Sequence, residues 1–401
     1  MTRAATLAAI GLLCGAVAGQ KADSEAWRKD PYTLGEPAAL RRAGYVSLGP
    51  FPWGDDHDSA KIHAMMPEAK ILWIETAHFR LGCALKEVEV PQDSKVRRRM
   101  AGELKQLKRV LPRVKPGARK LDRWLRAHLF ARRLEQVYGE VLQLLGVKDS
   151  DFGTSGKHAA TGPILGMKDK FPVLLFQKSS DLTRYATKSG QPPAGKPVPI
   201  CVFFKERGGL LYATSAEIVH SSRDPDHRLD CHMRFATARN LLAGYKGFQH
   251  TLPPWLEDGV GNWVVRRFDP EQHEFSAMKD QDFSRTYPHQ WEVFARRLTG
   301  NGFGRPSEVL FGIAKASEMT FHDHICGWSR IDFLQRIDGG KKLAAFLAAM
   351  KEPMPHAPGK LVEASAVMDA QRTALKRIFG WSYAELDSAW AAWANKTYPR
   401  K

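Results

Sequence analysis

The chain has 401 residues, of which 43% are hydrophobic and 26% charged, with 11 Trp, 20 Phe and a formal net charge of +17. This composition excludes an intrinsically disordered chain and predicts a well-packed globular protein with room for two or three lobes. The excess of basic residues favours interaction with anionic partners.

The first 18 residues have the composition of an export signal. They contain one Arg, an apolar run and the small-x-small sequence Ala16-Val17-Ala18. The run is too short to span a membrane, and a lipoprotein signal would have a small residue where Leu13 precedes Cys14. We expect cleavage near Ala18, export to the periplasm or the extracellular space, and no transmembrane segment in the mature chain.

The mature chain keeps four cysteines, and their redox state is open. In an oxidising compartment they could form two disulfides, with three possible pairings, but a large core also accommodates free thiols. No two of them have Cys-x-x-Cys spacing, which argues against a zinc site made of cysteines alone. They are Cys83, Cys201, Cys231 and Cys326.

In chain order, an irregular lead (19–69) precedes "KILWIETAHFRLGCAL" (70–85), an apolar run typical of a buried strand. We assign residues 70–230 to an α+β lobe that includes a basic helical insertion (95–145). Residues 231–401 contain helical patterns and form a second lobe.

Segment 95–133 is strongly basic, with 15 Lys or Arg and only Glu103 and Asp122 as acids. Its spacing predicts two helices around "LPRVKPG" (111–117), the second from Ala118 to Leu145. A solvated helix face and a surface that binds a polyanion, such as an anionic membrane or cell-surface polymer, both remain open. Nucleic acid is disfavoured, because no groove-reading motif is present and an exported protein rarely meets it.

Further along, 171–187 predicts a strand followed by a short helix, and 199–220 predicts two strands joined at Gly208-Gly209. The next two patterns are helical, at 234–247 and 256–267. From residue 287 to the end the pattern is helical throughout.

Five segments, in this order, give the chain a resemblance to a known superfamily. The chain resembles the gluzincins, the thermolysin-like and aminopeptidase-like zinc peptidases, and in particular exported peptidase-MA-like domains. The resemblance covers residues 70–395 and implies an α+β fold, with a small mixed β-sheet, helices on one side of it, and a C-terminal helical lobe across a cleft. The segments are "HF" (78–79), "VLLFQKSSDLTRY" (173–185), "LPPWLEDG" (252–259), "GWSRIDFL" (327–334) and "FGWSYAELDSAW" (379–390).

The resemblance also locates a site whose zinc-binding residues are missing. Active gluzincins have a His-Glu-x-x-His helix and a carboxylate ligand on the next helix, commonly with 18 residues between. Asp258 matches that carboxylate, and 18 residues separate it from Arg239. Phe235 and Arg239 then occupy the two histidine positions, and Ala236 occupies that of the general base. No His-Glu-x-x-His occurs in the chain.

This substitution leads to a structural hypothesis about Arg239. Without zinc, a buried Asp258 needs another positive partner, and a guanidinium supplies both charge and a hydrogen-bonding face. We therefore predict an Arg239–Asp258 ion pair where zinc binds in the active enzymes, with Trp255 and Glu257 as further binding residues.

A relocated zinc site is the main alternative. It would require at least three side chains to converge at about 2.0–2.2 Å from one point. "HEF" at 273–275 does not supply it, because the second histidine is absent. The candidate ligands are Asp258 together with His220, His232, His250, Glu257, His322 and His324.

We expect an exported, catalytically inactive pseudopeptidase without a cofactor, whose cleft binds an extended peptide or polymer by strand addition beside the hairpin at 199–220. One alternative is an active zinc-dependent peptidase with relocated ligands. The other is a polyanion- or cell-surface-binding protein that uses segment 95–133.

Overall fold

The computed structural model describes residues 26–153, 158–159, 162–190, 197–219, 224–247, 252–279, 287–352, 354 and 362–401. This part of the chain is a mixed α+β structure with one main sheet, and every described element after Val219 is helical. The predicted export signal lies outside the described residues. Among those residues, no helix combines the length and the apolarity needed to cross a membrane.

The main sheet has five strands in the order β1-β2-β7-β9-β8. The three inner strands are parallel, and each edge strand is antiparallel to its neighbour. Strand β8 is therefore an edge strand, and β3–β4 and β5–β6 form two small additional pairs. The strands are β1 (Leu72–Glu75), β2 (Phe79–Ala84), β3 (Val88–Glu89), β4 (Lys120–Leu121), β5 (Phe152–Gly153), β6 (His158–Ala159), β7 (Phe171–Phe176), β8 (Ile200–Phe204) and β9 (Gly209–Ser215).

The helices surround the sheet and make up the whole C-terminal half. They are α1 (Pro37–Ala43), α2 (Ser59–Met65), α3 (Ser94–Lys108), α4 (Arg123–Leu145), α5 (Ser179–Lys188), α6 (Pro225–Lys246), α7 (Pro254–Phe268), α8 (Trp291–Gly300), α9 (Ser307–Leu310), α10 (Phe321–Arg336), α11 (Lys341–Ala349), α12 (Ala364–Phe379) and α13 (Tyr383–Thr397).

Both faces of the sheet are covered. Alternate strand residues such as Leu175 join the cluster that contains α4 and α6, whereas Leu174 and Phe176 join a second cluster with α5 and Trp53. The expectation of helices on one side only was therefore wrong. The first cluster runs without a break from Tyr45 to residues of α13, so the two predicted lobes share one hydrophobic core.

Local hydrogen bonds explain where the element boundaries differ from the predictions. Residues 70–85 form two antiparallel strands because the chain turns at Thr76. The backbone N–H of Thr76 donates to the carbonyl oxygen of Phe79, and the backbone N–H of Phe79 donates to Oγ1 of Thr76. Helix α6 begins at Pro225, well before the predicted start at residue 234. Pro225 occupies its first turn, and the side chain of Asp224 caps it by accepting a hydrogen bond from the backbone N–H of His227 at 3.1 Å.

All four described cysteines are free thiols. Cys83, Cys231 and Cys326 are buried, whereas Cys201 is exposed on β8. The alternative of two disulfides is therefore wrong, and the large core stabilises the fold without them.

Candidate functional site

The candidate site lies where α6 and α7 approach each other closely. Gly261 of α7 makes this approach possible, because a Cβ atom there would lie 2.6 Å from the Phe235 ring and 3.3 Å from Cγ of Arg239. The guanidinium of Arg239 in turn lies 5.4 Å from the centre of the Phe235 ring. The side chains of residues 235 and 239 therefore lie together on the face of α6 that meets α7.

Arg239 contacts both acids of the "WLEDG" sequence. Its Nε lies 3.0 Å from Oδ1 of Asp258, and its Nη2 donates a hydrogen bond to Oε2 of Glu257 at 3.1 Å. Asp258 is 1% exposed, whereas the Arg239 side chain keeps 28% of its surface in contact with solvent. The predicted Arg239–Asp258 ion pair is confirmed. The Nε–H of Arg239 is not aligned for a hydrogen bond with Asp258, so the attraction between these two side chains is electrostatic.

The neighbouring charges change the proton affinities of Arg239 and Glu257. Burial alone would lower the pKa of Arg239, but the neighbouring Asp258 and Glu257 outweigh it and raise that pKa above its ordinary value. Burial, together with the charge of Asp258, raises the pKa of Glu257, and Arg239 offsets this only in part. The site therefore contains a permanent cation, Arg239, beside the carboxyl groups of Asp258 and Glu257, and Glu257 is the one that resists ionisation.

The second oxygen of Asp258 is covered by the segment that follows α7. Its Oδ2 accepts hydrogen bonds from the backbone N–H (3.2 Å) and the hydroxyl (2.8 Å) of Ser276. Nδ1 of His324 lies 3.5 Å from the same oxygen, while Nε2 of His324 lies 3.1 Å from the carbonyl oxygen of Ala277, within hydrogen-bonding distance. Burial lowers the pKa of His324. Both oxygens of the carboxylate are thus already in contact with protein groups.

Asn262 fixes this covering segment to α7. Its side chain is fully buried, accepts from the backbone N–H of Glu274 at 2.9 Å and donates to the carbonyl oxygens of Glu274 (2.9 Å) and Asp258 (3.1 Å). Two of these bonds join the covering segment to α7 and the third lies within α7, so the cover is held firmly to the folded core.

Glu274, the acid of the "HEF" sequence, contributes a second polar group beside the first. Its Oε2 lies 3.3 Å from Nδ1 of His232, and its other oxygen pairs with Arg228. Nε2 of His232 lies 2.8 Å from the hydroxyl of Tyr212 on β9. Burial opposes ionisation of Glu274, but Arg228 and His232 outweigh it and lower the pKa of Glu274. Sequence reasoning had set this residue aside.

The remaining family-matched positions are structural. Phe235 and Ala236 are buried. Trp255 is fully buried, with its indole N–H donating to Gln371 at 2.9 Å and its ring stacked on Phe311. Its position does not support the prediction that it binds a ligand, so we assign it to the core.

The proposed relocated zinc ligands do not converge where they are described. His232 contacts Tyr212 and Glu274, His324 contacts Asp258, and His322 is exposed at the start of α10. Within the described ranges, no group of three or more His, Cys, Asp or Glu side chains is arranged to hold a metal ion. His220 and His250 lie outside the described residues.

Sequence reasoning missed Asn240 and Lys246, two residues of α6 near this site. Asn240 follows it on α6, and its Oδ1 lies 3.5 Å from Sγ of Cys201 on β8. Lys246, the last residue of α6, is 7% exposed, and burial lowers its pKa to about 8 despite the nearby Glu257. The position of Asn240 next to Arg239 was a usable signal, but nothing local identified Lys246.

Comparison with protein-family models, with curated proteins and with solved structures gives no significant match. The function of this chain is therefore inferred from its own side chains and their geometry.

Proposed function

We propose that the protein is an exported, catalytically inactive relative of the gluzincins that binds an extended peptide or polymer segment along the free edge of β8. The observation that carries the proposal is the contact between α6 and this edge strand. Cys201 of β8 touches Asn240. Burial raises the pKa of the Cys201 thiol, and the charge of Arg239 acts on this thiol and opposes the rise. The guanidinium therefore lies near the strand.

An edge strand offers a ligand backbone a row of unpaired N–H and C=O groups. Among the described residues, β8 pairs only with β9, and its residues are half-buried or exposed. Arg239 adds a charged donor beside that row, available to a carboxylate or carbonyl of the ligand. Asp258, in contrast, is 1% exposed and its Oδ2 is covered by Ser276, so its carboxylate is closed to a ligand.

The first test is elemental analysis of the mature protein, purified without any chelator. The proposal expects no stoichiometric metal, because Arg239 supplies the positive charge beside Asp258. One zinc per chain, with zinc-dependent cleavage of fluorescein-labelled casein, would instead establish the relocated hydrolase.

The second test measures binding to the edge strand directly. Fluorescein-labelled casein peptides, as unfolded chains, should protect the backbone amides of 200–204 from hydrogen exchange. A bulky maleimide adduct on the exposed Cys201 should block this binding, and the Cys201→Ser protein treated in the same way is the control. Binding that leaves β8 unprotected, or that survives the adduct, contradicts strand addition.

A further inference from the structure

Helix α3 presents a row of cations on the side opposite its buried face. Its apolar residues Met100, Leu104 and Leu107 are buried against α4. At about 100° per residue, positions 95, 98, 102, 105 and 109 fall within an arc of about 80° on the other side. These positions are Lys95, Arg98, Gly102, Lys105 and Arg109, and all five are exposed.

The charge balance of this row differs from that of the inner side of the same segment. Among the described residues, none of the four forms an ion pair. The inward-facing Arg99 and Arg133 of the same segment, in contrast, are paired with Asp224, Glu103 and other acids. Glu103 and Asp224 are thus used on the inner side of α3. Asp93 lies near the Lys95 end of the row, and the other three cations have no ion-pair partner among the described residues.

Neighbouring elements extend the charged face beyond the end of α3. Arg42 of α1 donates from Nε to the carbonyl oxygen of Val110 at 3.0 Å, which brings α1 beside Arg109. Arg113, Lys115 and Arg119 follow in the exposed turn between α3 and α4. From Lys95 to Arg109 alone the row is about 21 Å long.

Gly102 is a second, independent observation. A Cβ atom there would have no neighbour within 4 Å, so packing does not require a glycine. In the middle of a helix, glycine costs roughly 0.5–1 kcal/mol relative to alanine. The absence of a side chain at the centre of the row lets a ligand approach the helix backbone between Arg98 and Lys105.

We infer that this face binds a linear phosphate polymer in an extended conformation. The length and single sign of the row match such a chain, and Arg and Lys are the side chains that pair with phosphate. The exposed part of 94–120 has no aromatic residue on which a nucleobase could stack. The apolar face of α3 is buried in the core, so the helix cannot insert into a membrane. This inference does not depend on the peptide-binding proposal.

The test is the dissociation constant for fluorescent inorganic polyphosphate, measured over a series of salt concentrations. The triple variant Arg98→Gln/Lys105→Gln/Arg109→Gln should bind about tenfold more weakly at moderate salt, with a shallower salt dependence. The matched control Lys341→Gln/Lys396→Gln/Arg400→Gln removes the same charge from exposed positions elsewhere and should bind like the parent.

A second test uses Gly102 and Gly139, two glycines where an added Cβ atom meets no other atom within 4 Å, so that substitution there should leave the fold intact. Gly102→Glu places an acid in the row and should weaken polyphosphate binding, whereas Gly139→Glu, at an equally open position on α4, should not. Equal losses in the two triple variants, or in the two glycine variants, would overturn the inference. Tighter binding to oligo(dT) or to phosphatidylglycerol vesicles than to polyphosphate would also overturn it, in favour of nucleic acid or membrane.

Discussion

At the scale of single residues, the Arg239–Asp258 pair explains how the helix pair tolerates a buried acid. Removing one partner of a buried ion pair leaves the other uncompensated. Arg239→Gln should therefore lower the free energy of unfolding by about 3 kcal/mol, near the low end of the range for buried pairs because Arg239 is partly exposed.

Urea unfolding of Arg239→Gln, Asp258→Asn and the double variant measures this as a double-mutant cycle. Arg98→Gln, at an exposed and unpaired position, is the control and should lose little stability. Additive losses in the cycle would show that the two side chains do not stabilise each other.

Lys246 provides a prediction on pH. Burial lowers its native pKa from 10.5 to about 8, so the unfolded chain binds this proton more tightly than the native one does. Its contribution to stability is present above pH 10.5 and is lost as the pH falls towards 8. Lys246→Met should accordingly raise the free energy of unfolding at pH 7 by about 2–3 kcal/mol.

That gain should shrink steadily between pH 8 and pH 10.5, as measured by denaturant unfolding across the range. Lys396→Met, on the exposed face of α13, is the matched control and should show no such trend. If Lys246→Met raised the free energy of unfolding by the same amount at every pH, burial would not be opposing the ionisation of this lysine.

At the scale of elements, the contact between α6 and α7 depends on Gly261. Gly261→Ala forces a methyl group towards the Phe235 ring, and overpacking of this kind costs about 1–3 kcal/mol. Because the same methyl group meets Cγ of Arg239, the variant should also weaken the pairing of Arg239 with Asp258.

Thermal unfolding of Gly261→Ala is best compared with Gly139→Ala on α4, where the added methyl group meets nothing within 4 Å. The control should be neutral or slightly more stable, because alanine favours the helix. Combining Gly261→Ala with Phe235→Leu should recover part of the loss. Without any recovery, the close contact with Phe235 is not the cause.

The sequence predicted this helix pair better than its surroundings. The 18-residue spacing that the resemblance to the gluzincins implies placed Arg239 opposite Asp258, and the two helices bring these residues together. The covering segment could not be found in this way, because Ser276 and Glu274 reach the site through tertiary contacts of Asn262. Trp255 was misassigned because a large aromatic next to a site residue has the same local pattern whether it binds a ligand or fills the core.

At the scale of the whole molecule, one hydrophobic core without disulfides joins the sheet to the C-terminal helices. Sequence patterns suggested two lobes because the strands precede the helices, but the order of elements does not reveal which apolar faces meet. The division at residue 230 remains a prediction about domains, whereas the shared core predicts cooperative unfolding.

The absence of disulfides among the four described cysteines can be tested with thiol reagents. Native mature protein should react with a thiol reagent at Cys201 alone, and faster as the pH rises, because burial raises the pKa of this thiol to about 11. Cys201→Ser should abolish this reaction. A reducing agent should leave the unfolding temperature unchanged, because there is no covalent link to break. A marked fall in that temperature on reduction would show that disulfides form in the isolated protein.

The cover over Asp258 has a consequence for any attempt to build a metal site at this place. Both oxygens of the carboxylate are occupied, one by Arg239 and the other by Ser276. Placing histidines at 235 and 239 would remove the guanidinium but would leave Ser276 bound and Asn262 holding the cover in place. A metal site therefore needs several coordinated changes, each unfavourable when it is made alone. The ion pair and its cover thus act as an epistatic barrier, which no single substitution crosses.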